Sequence, residues 1–275
     1  MSPAPENPRY RRQVRAEGFG PEAQARLARA RVGIVGLGAL GSRVAEDLAR
    51  SGFGFLRLID RDWVELSNLH RQHLYDERDA EAEEPKSLAA AQRIAEINSE
   101  VRLDPELRDL GPEDVEELLG DLDLWIDGTD NFQTRYVLND FAVRAGRPWI
   151  YGACVANQAM VAHFVPGSSC MRCLVPEPPP AESTQTCETS GIIPPAAAFV
   201  AGLQSAIAMR LVGRPDDVLE PRLFTADLRT MKIRDMKLPG VPVAGCESCE
   251  AKSYPALRLV PTSRAKRLCG RNAVQ

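Results

Sequence analysis

Hydrophobic and polar positions between Arg31 and Asp60 form two kinds of pattern. Two short apolar runs, VGIVG and FLRLID, have the composition of strands, and they flank a segment with Val44 and Leu48 at helical spacing. This pattern predicts a strand, a tight turn, a helix and a second strand. Together these elements form one βαβ unit, in which the two strands are parallel.

The same alternation continues to about residue 154. We expect helices at 85–98, 113–119 and 131–145, and strands near 101–103, 122–127 and 148–153. Strands that alternate with helices form a doubly wound, mostly parallel sheet. The predicted fold class is therefore α/β.

After residue 154 the pattern changes. Residues 159–165, 222–226 and 230–236 have the pattern of strands, and an apolar helix is expected near 196–212. Strands joined without intervening helices indicate an antiparallel extension of the same sheet. The loop over 175–191 is longer than an ordinary connection, which indicates a functional or disordered segment.

One apolar stretch, residues 192–213, nearly reaches the length of a membrane span. Prolines and polar residues interrupt it at Pro194, Pro195, Gln204, Ser205 and Arg210. The first residues of the chain contain no apolar run of the kind found in signal peptides. We therefore expect a buried core helix and no association with a membrane.

The composition, 44 % hydrophobic and 26 % charged, is that of a globular enzyme and excludes a disordered or fibrous chain. The net charge of −4 averages an acidic middle, −15 over residues 60–130, and a basic end, +7 over residues 222–275. An acidic middle without a run of Lys and Arg argues against nucleic acid as the main partner. Seven cysteines, an odd number, cannot all pair within the chain. A reducing compartment, the cytoplasm, is expected.

A glycine-rich turn lies between the first predicted strand and helix. Gly36, Gly38 and Gly41 match the spacing GxGxxG, and Asp60 ends the next strand. Such glycines let a backbone approach phosphates at a helix N-terminus, and the acid accepts from ribose hydroxyls. By itself the motif favours an NAD(P)-dependent dehydrogenase. The alternative is that the glycines serve only the packing of helix against strand.

The residues after Asp60 are not those of a dehydrogenase. Asn68, Arg71 and Gln72 lie just beyond the acid, and Lys86 begins the next predicted helix. Arginine, amide and ammonium groups in this place suit a charged triphosphate better than a nicotinamide. Taken singly, each residue could equally be a solvated loop residue or a helix cap.

A second polar loop follows the predicted strand LWID. Asp130 and Asn131 lie at the carboxyl end of this strand, where open α/β sheets bind ligands. Asp130 suits Mg²⁺, because magnesium usually takes one or two carboxylates together with nucleotide phosphates.

Five motifs together resemble one family. RYRRQ (9–13), GLGALG, LIDRDWVELSNLHRQ, the Pro-Lys pair at 85–86 and DGTDN are similar to the ThiF/MoeB/HesA family of ubiquitin-activating-like adenylyltransferases, over about residues 9–257. The resemblance implies a Rossmann-like fold and a nucleotidyltransferase that uses MgATP. It would activate the C-terminal glycine carboxylate of a small ubiquitin-like sulfur carrier protein with a Gly-Gly end, giving an acyl-adenylate and pyrophosphate for thiamine thiazole or molybdopterin synthesis.

The resemblance also implies roles for single residues. Those expected to bind ATP and Mg²⁺ are Gly36, Gly38, Gly41, Asp60, Ser67, Asn68, Leu69, His70, Arg71, Gln72, Lys86, Asp130 and Asn131. Arg12 would reach the phosphates of the partner subunit in a homodimer. A carboxylate is already a nucleophile at pH 7, so Arg12, Arg71, Lys86 and Mg²⁺ at Asp130 need only position it and stabilise charge.

Four of the cysteines form two CxxC pairs, Cys170 with Cys173 and Cys246 with Cys249. Two such pairs make a closed, tetrahedral structural zinc site. A redox dithiol is the alternative, although a CxxC oxidoreductase normally needs one pair only.

Cys187 belongs to neither pair. Its neighbour Glu188 would raise the pKa of a thiol, so the residues alone give no reason for reactivity. The resemblance implies a catalytic cysteine here, which links covalently to the carrier in some members and is dispensable in others. Cys154 is expected to be an inert core thiol, and Cys269 has no assigned role.

The chain departs from the family pattern in two places. Glutamates at 83 and 84 replace the glycine that the family usually has before Pro-Lys, so the loop that carries Lys86 could lie differently. No sulfurtransferase domain follows Cys249, so a separate sulfur donor protein is expected.

The expected organisation is a helical arm (1–30), a nucleotide-binding Rossmann-like part (31–154), an extension of the same domain with the crossover loop and zinc site (155–257), and a tail (258–275). Three other functions stay open. They are adenylation of another carboxylate or of a tRNA base, an NAD(P)-dependent dehydrogenase, and a scaffold that binds a ubiquitin-like partner without turnover.

Overall fold

A computed structural model describes residues 7–179, 187–217 and 219–258, except for the side chains of 187 and 188. Eight strands form one sheet in the order β3-β2-β1-β4-β5-β6-β7-β8. They are β1 (Arg31–Val35), β2 (Phe55–Ile59), β3 (Arg102–Glu106), β4 (Leu124–Asp127), β5 (Trp149–Val155), β6 (Gln158–Phe164), β7 (Arg222–Asp227) and β8 (Lys232–Lys237). The first five strands are parallel and β6 to β8 are antiparallel. This confirms the predicted fold class.

The helices lie on both faces of the sheet. In chain order they are α1 (Arg11–Val14), α2 (Gly20–Leu27), α3 (Gly41–Ser51), α4 (Glu77–Glu81), α5 (Lys86–Ile97), α6 (Val115–Leu119), α7 (Phe132–Ala145), α8 (Met171–Leu174), α9 (Cys187–Ser190) and α10 (Pro194–Gly213). The longer helices agree with the predicted positions. Sequence periodicity missed α4, α8 and α9, because four or five residues span little more than one turn.

Two hydrophobic cores are separated by the sheet. One lies under α3, α5 and α10 and includes Ile34, Leu48 and Val200. The other lies under α6 and α7 and includes Trp125, Phe141 and Trp149. The apolar helix α10 packs on β5, β6, α2 and α3. It is long and apolar enough to cross a membrane by composition, but half of its apolar window is buried in this packing, as expected of a core helix.

The N-terminal arm is fastened to one edge of the sheet. Tyr10 is buried, and its hydroxyl accepts from Asn98 Nδ2 at 2.8 Å. Gln13 Nε2 donates to the carbonyl oxygen of Ser51 at 2.8 Å, and Arg9 Nη1 donates to that of Ile97 at 3.0 Å. Ser51 and Ile97 end α3 and α5, so the arm lies at the edge where the parallel strands begin.

Candidate functional site

The glycine turn joins three backbone segments at the carboxyl edge of the sheet. Gly36 has φ 84°, and a Cβ there would lie 2.8 Å from the carbonyl of Gly128. A Cβ on Gly41 would collide with the carbonyl oxygen of Gly36. Gly36 and Gly41 are therefore required by packing alone. Gly38 differs, because a Cβ there would meet only Gln72 Nε2, at 3.8 Å, so its open approach suits a phosphate.

Asp60 holds the glycine turn from the end of β2. Its Oδ2 accepts from the N–H of Leu37 at 2.6 Å, and its Oδ1 accepts from the N–H of Asp62 at 2.8 Å. Burial raises the pKa of Asp60, although Lys86 and the two N–H donors oppose this. A carboxylate has about four lone-pair positions, so this acid can still accept from a ribose hydroxyl.

Lys86 is buried at the first turn of α5. Its Nζ lies 3.2 Å from Asp62 Oδ2, and its backbone N–H donates to the carbonyl oxygen of Asp62 at 2.9 Å. Tyr75 ties this helix to the glycine turn, because its hydroxyl lies 2.9 Å from the carbonyl oxygen of Leu37 and 3.3 Å from that of Lys86. The ammonium group therefore faces the site with Asp62 as its partner.

The loop before Lys86 contains one residue with a left-handed backbone conformation. Glu83 has φ 52°, a conformation that glycine adopts readily and that costs other residues about 1–2 kcal/mol. Glutamate thus takes the backbone conformation for which a glycine is the usual choice.

The segment 66–72 presents two buried amide side chains, Asn68 and Gln72. Among the described residues, no donor reaches Gln72 Oε1. Arg71 Nη1 donates to the carbonyl oxygen of Ser67 at 2.9 Å and lies 2.9 Å from His70 Nε2. These two contacts orient the guanidinium group of Arg71. Ser67 and His70 are themselves exposed.

The loop after β4 carries Asp130 and Asn131. Asn131 is the N-cap of α7, and its Oδ1 accepts from the N–H of Thr134 at 2.9 Å. This is the helix-cap role that the sequence left open. Asp130 is exposed beside Gly128, which packs against the glycine turn. Its carboxylate is therefore accessible to a cation.

The two CxxC pairs come together as predicted. The four sulfur atoms lie within 4.8 Å of one another, with Sγ to Sγ distances of 3.6 Å for Cys170 and Cys246 and 3.3 Å for Cys173 and Cys249. Tetrahedral zinc with Zn–S bonds of about 2.3 Å needs sulfurs roughly 3.8 Å apart, so the cluster fits zinc.

As thiolates, the four cysteines also need a cation to balance their charge. Burial and the neighbouring thiols raise the pKa of Cys170 above its usual range and that of Cys249 to about 11, whereas the backbone N–H groups of Cys249 and Ser248 lower the pKa of Cys246 despite its burial. Four thiolates coexist here only when a divalent ion compensates their charge. Four converging sulfurs, instead of one isolated pair, favour the structural zinc site over a redox dithiol.

A model of the ThiF family matches residues 10–248. The chain belongs to the ThiF family. It is 40 % identical over 268 residues to the sulfur carrier protein ThiS adenylyltransferase of Bacillus subtilis, covering 97 % of this chain and 79 % of that protein. It is 38 % identical over 250 residues to the sulfur carrier protein adenylyltransferase of Thermus thermophilus, covering 87 % and 91 %. A crystal structure of E. coli MccB has a TM-score of 0.76 at 25 % identity, covering 88 % of this chain and 72 % of that one.

Arg12 is expected at the nucleotide site of a partner subunit, and the structure places it away from the site of its own chain. Arg12 is exposed in α1, at the opposite edge of the sheet from the glycine turn. The 11 residues of α3 separate the two edges by about 16 Å at 1.5 Å per residue. The side chain of Cys187 lies outside the described residues, as do Cys269 and the tail from residue 259.

The sequence reasoning missed a buried ion pair beneath the Asp130 loop. Arg135 Nε lies 2.9 Å from Asp127 Oδ2, and its Nη2 donates to the carbonyl oxygen of Thr129 at 2.7 Å. Asp127 Oδ1 accepts from both the N–H and the hydroxyl of Thr129. The available signal was an acid at the end of an apolar strand, with an arginine eight residues later on the helix that follows.

Proposed function

We propose that this chain adenylates the C-terminal glycine carboxylate of a small ubiquitin-like sulfur carrier protein of the ThiS or MoaD type, using ATP and releasing pyrophosphate. The observation that carries the proposal is the cluster of Gly38, Asp60, Lys86 and Asp130 at one edge of the sheet, in a family member whose relatives are named sulfur carrier adenylyltransferases. The product would serve thiamine thiazole or molybdopterin synthesis.

The cluster supports one orientation for the nucleotide. The ribose would lie at Asp60 and the phosphates over Gly38, at the N-terminus of α3, where backbone N–H groups attract anions. Asn68, Gln72 and Arg71 would contact the phosphates, and the Lys86 ammonium would leave Asp62 for a phosphate oxygen. Ser67, Leu69 and His70 would line this side, and Asp130 would hold Mg²⁺.

The chemistry requires little from the protein beyond position and charge. The carrier carboxylate attacks the α-phosphate, the bond from this phosphorus to the bridging oxygen breaks, and pyrophosphate leaves. Cationic groups around the phosphates reduce the repulsion between the carboxylate and the nucleotide. Mg²⁺, when bound, supplies further charge neutralisation.

The position of Arg12 supports a homodimer. Its arm is fastened to its own subunit about 16 Å away from the nucleotide edge, so an arginine that contacts phosphates from this arm must act on a partner subunit. An arginine supplied in trans is a recurrent device in phosphoryl transfer.

We also propose a structural role for zinc, a separate protein as sulfur donor, and Cys187 as the thiol that takes part in sulfur transfer to the carrier. Zinc thiolates and a working thiol both require reducing surroundings, which supports the cytoplasm as the location.

The test is carrier-dependent exchange of labelled pyrophosphate into ATP, with a carrier protein that ends in Gly-Gly. Asp130→Ala should lower the exchange rate about a hundredfold, because a transition-state contact is lost. Asp216→Ala is the matched control: this aspartate is also exposed, it lies on the arm side of α10, and its replacement should leave exchange unchanged.

No exchange with the wild-type protein, and no effect of Asp130→Ala, would show that the proposed function is wrong. Tight binding of NADH in a titration would support the dehydrogenase instead. Carrier binding without exchange would support the scaffold.

A further inference from the structure

A second buried acid lies on α7, near the cysteines. Asp140 has no exposed surface, and its carboxylate accepts bonds from three segments of the chain. Oδ1 accepts from Arg172 Nε at 2.9 Å and from the Ser248 hydroxyl at 2.5 Å. Oδ2 accepts from Arg172 Nη2 at 3.1 Å and from the N–H of Ala256 at 2.8 Å.

The donors belong to the two cysteine turns. Arg172 lies between Cys170 and Cys173, and Ser248 lies between Cys246 and Cys249. Each CxxC turn therefore offers one side chain to the same carboxylate. Ala256, in the short 3-10 helix Pro255–Arg258, fastens the chain that follows the second turn.

The residue before Asp140 reaches the sulfur cluster itself. Asn139 Nδ2 lies 3.7 Å from Cys170 Sγ, and its Oδ1 accepts from the N–H of Met171 at 2.8 Å. Asn139 and Asp140 are both fully buried. One turn of α7 is therefore in contact with both halves of the cysteine site.

We propose that Asp140 is a positioning residue for the four-cysteine site, which sets the two CxxC turns at the separation that zinc requires. It does not touch the metal. It acts through Arg172 and Ser248, whose hydrogen bonds to the carboxylate do not involve the metal. Residues of this kind, one shell away from a metal, typically change metal affinity 10- to 100-fold when they are replaced.

The charge of the zinc site explains why Asp140 is paired with an arginine. A tetrathiolate zinc site carries about two negative charges, counted as four thiolates and one Zn²⁺, so an unpaired carboxylate next to it would weaken the site. Arg172 neutralises Asp140 at 2.9 Å and is itself buried. The pair thus adds geometric constraint without adding net charge.

The experiment measures metal affinity in Asp140→Asn by competition with a zinc chelator, with no enzyme assay. The asparagine amide has nearly the same shape as the carboxylate of Asp140. However, its NH₂ group faces hydrogen-bond donors, and the side chain no longer carries a negative charge. We expect zinc affinity to fall 10- to 100-fold, and the visible absorption bands of the Co²⁺-loaded protein to change as the tetrahedron distorts.

Asp127→Asn is the matched control. It removes a fully buried carboxylate from a second Asp–Arg pair, in which Asp127 of β4 pairs with Arg135 of α7, and its effect on stability should be of the same kind. Both proteins are measured at a temperature at which circular dichroism shows them folded. Asp127→Asn should keep the zinc affinity and the Co²⁺ spectrum of the wild type.

A zinc affinity in Asp140→Asn equal to that of the wild type would overturn the proposal. So would an equal loss in Asp127→Asn, because the effect would then be general destabilisation. If Asp140→Asn does not fold, Ser248→Ala removes one donor from the second turn alone. It should still weaken zinc binding several-fold, and no change would again overturn the proposal.

Discussion

His163 shows how one side chain acquires a property that its residue type does not have. It lies on β6 with 1 % of its surface exposed. Burial lowers its pKa, because the imidazolium loses its hydration. The backbone of Glu220 and Leu219 opposes this shift, and repulsion from Arg222 and Arg210 adds to it. The other two histidines, His70 and His73, are exposed.

This burial predicts a contribution to the pH dependence of stability. Below about pH 6.5 the unfolded chain binds a proton at His163 that the folded chain does not, so stability falls with falling pH. At pH 5.5 the contribution is at most about 1.4 kcal/mol. Urea unfolding at pH 7.5 and 5.5 should show a smaller pH effect in His163→Gln than in the wild type.

His70→Gln serves as the control for that measurement. His70 is exposed, so its replacement removes an imidazole from the chain without removing a buried one. Equal pH effects in His163→Gln and in the wild type would mean that His163 takes up its proton in the folded protein as readily as in the unfolded chain.

At the scale of elements, the connection between β4 and α7 depends on one buried ion pair. Asp127 ends the strand, Arg135 lies on the helix, and together they bind Thr129 in the loop between them. Arg135 also donates to the carbonyl oxygen of Gly152 on β5 at 3.1 Å. The loop that carries Asp130 is therefore supported from below by fixed polar contacts.

Arg135→Leu should destabilise the protein by about 3–5 kcal/mol, because it leaves a buried carboxylate without a partner. The double variant Asp127→Asn with Arg135→Leu should lose less than the sum of the two single changes, since no charge is then buried alone. Urea unfolding of the four proteins gives this comparison.

Arg144→Leu, on the same helix, is the control for this cycle. Its side chain is 40 % exposed and pairs with Glu116, so its loss should cost less than about 1 kcal/mol. Strictly additive effects at Asp127 and Arg135 would contradict the coupling.

At the scale of the whole molecule, two charged residues of the proposed reaction, Arg12 and Asp130, lie at opposite edges of one sheet. Arg12 is on the arm at the amino edge, and Asp130 is at the carboxyl edge. A site that uses both residues needs two chains, and two-fold symmetry then makes two such sites.

This arrangement predicts complementation between two inactive variants. Arg12→Ala and Asp130→Ala should each lose most of the exchange activity. In mixed dimers, isolated with two different tags, one site combines intact Asp130 with Arg12 of the other chain, so about half of the wild-type activity should return. Mixed dimers no more active than the single variants would contradict the arrangement in trans.

Local pattern was sufficient for much of the fold. The apolar run FLRLI and the spacing of Val44 and Leu48 depend only on neighbours along the chain, and β2 and α3 lie where these patterns predict. The spacing GxGxxG and the two CxxC pairs are also local, and the structure brings each set together. Short elements such as α8 were missed, because their formation depends on the contacts around the cysteines.

Only the tertiary structure shows which distant residues become neighbours. Asp127, Asp140 and Arg172 are ordinary charged residues in the sequence, and their importance comes from burial, where a charge must find a partner. Arg12 lies within a motif that the sequence displays clearly, but its distance from the nucleotide edge follows from where Tyr10 and Gln13 are anchored. The chain order thus determines which chemical groups are present, whereas packing determines which of them can act together, because burial and separation in space are properties of the folded chain.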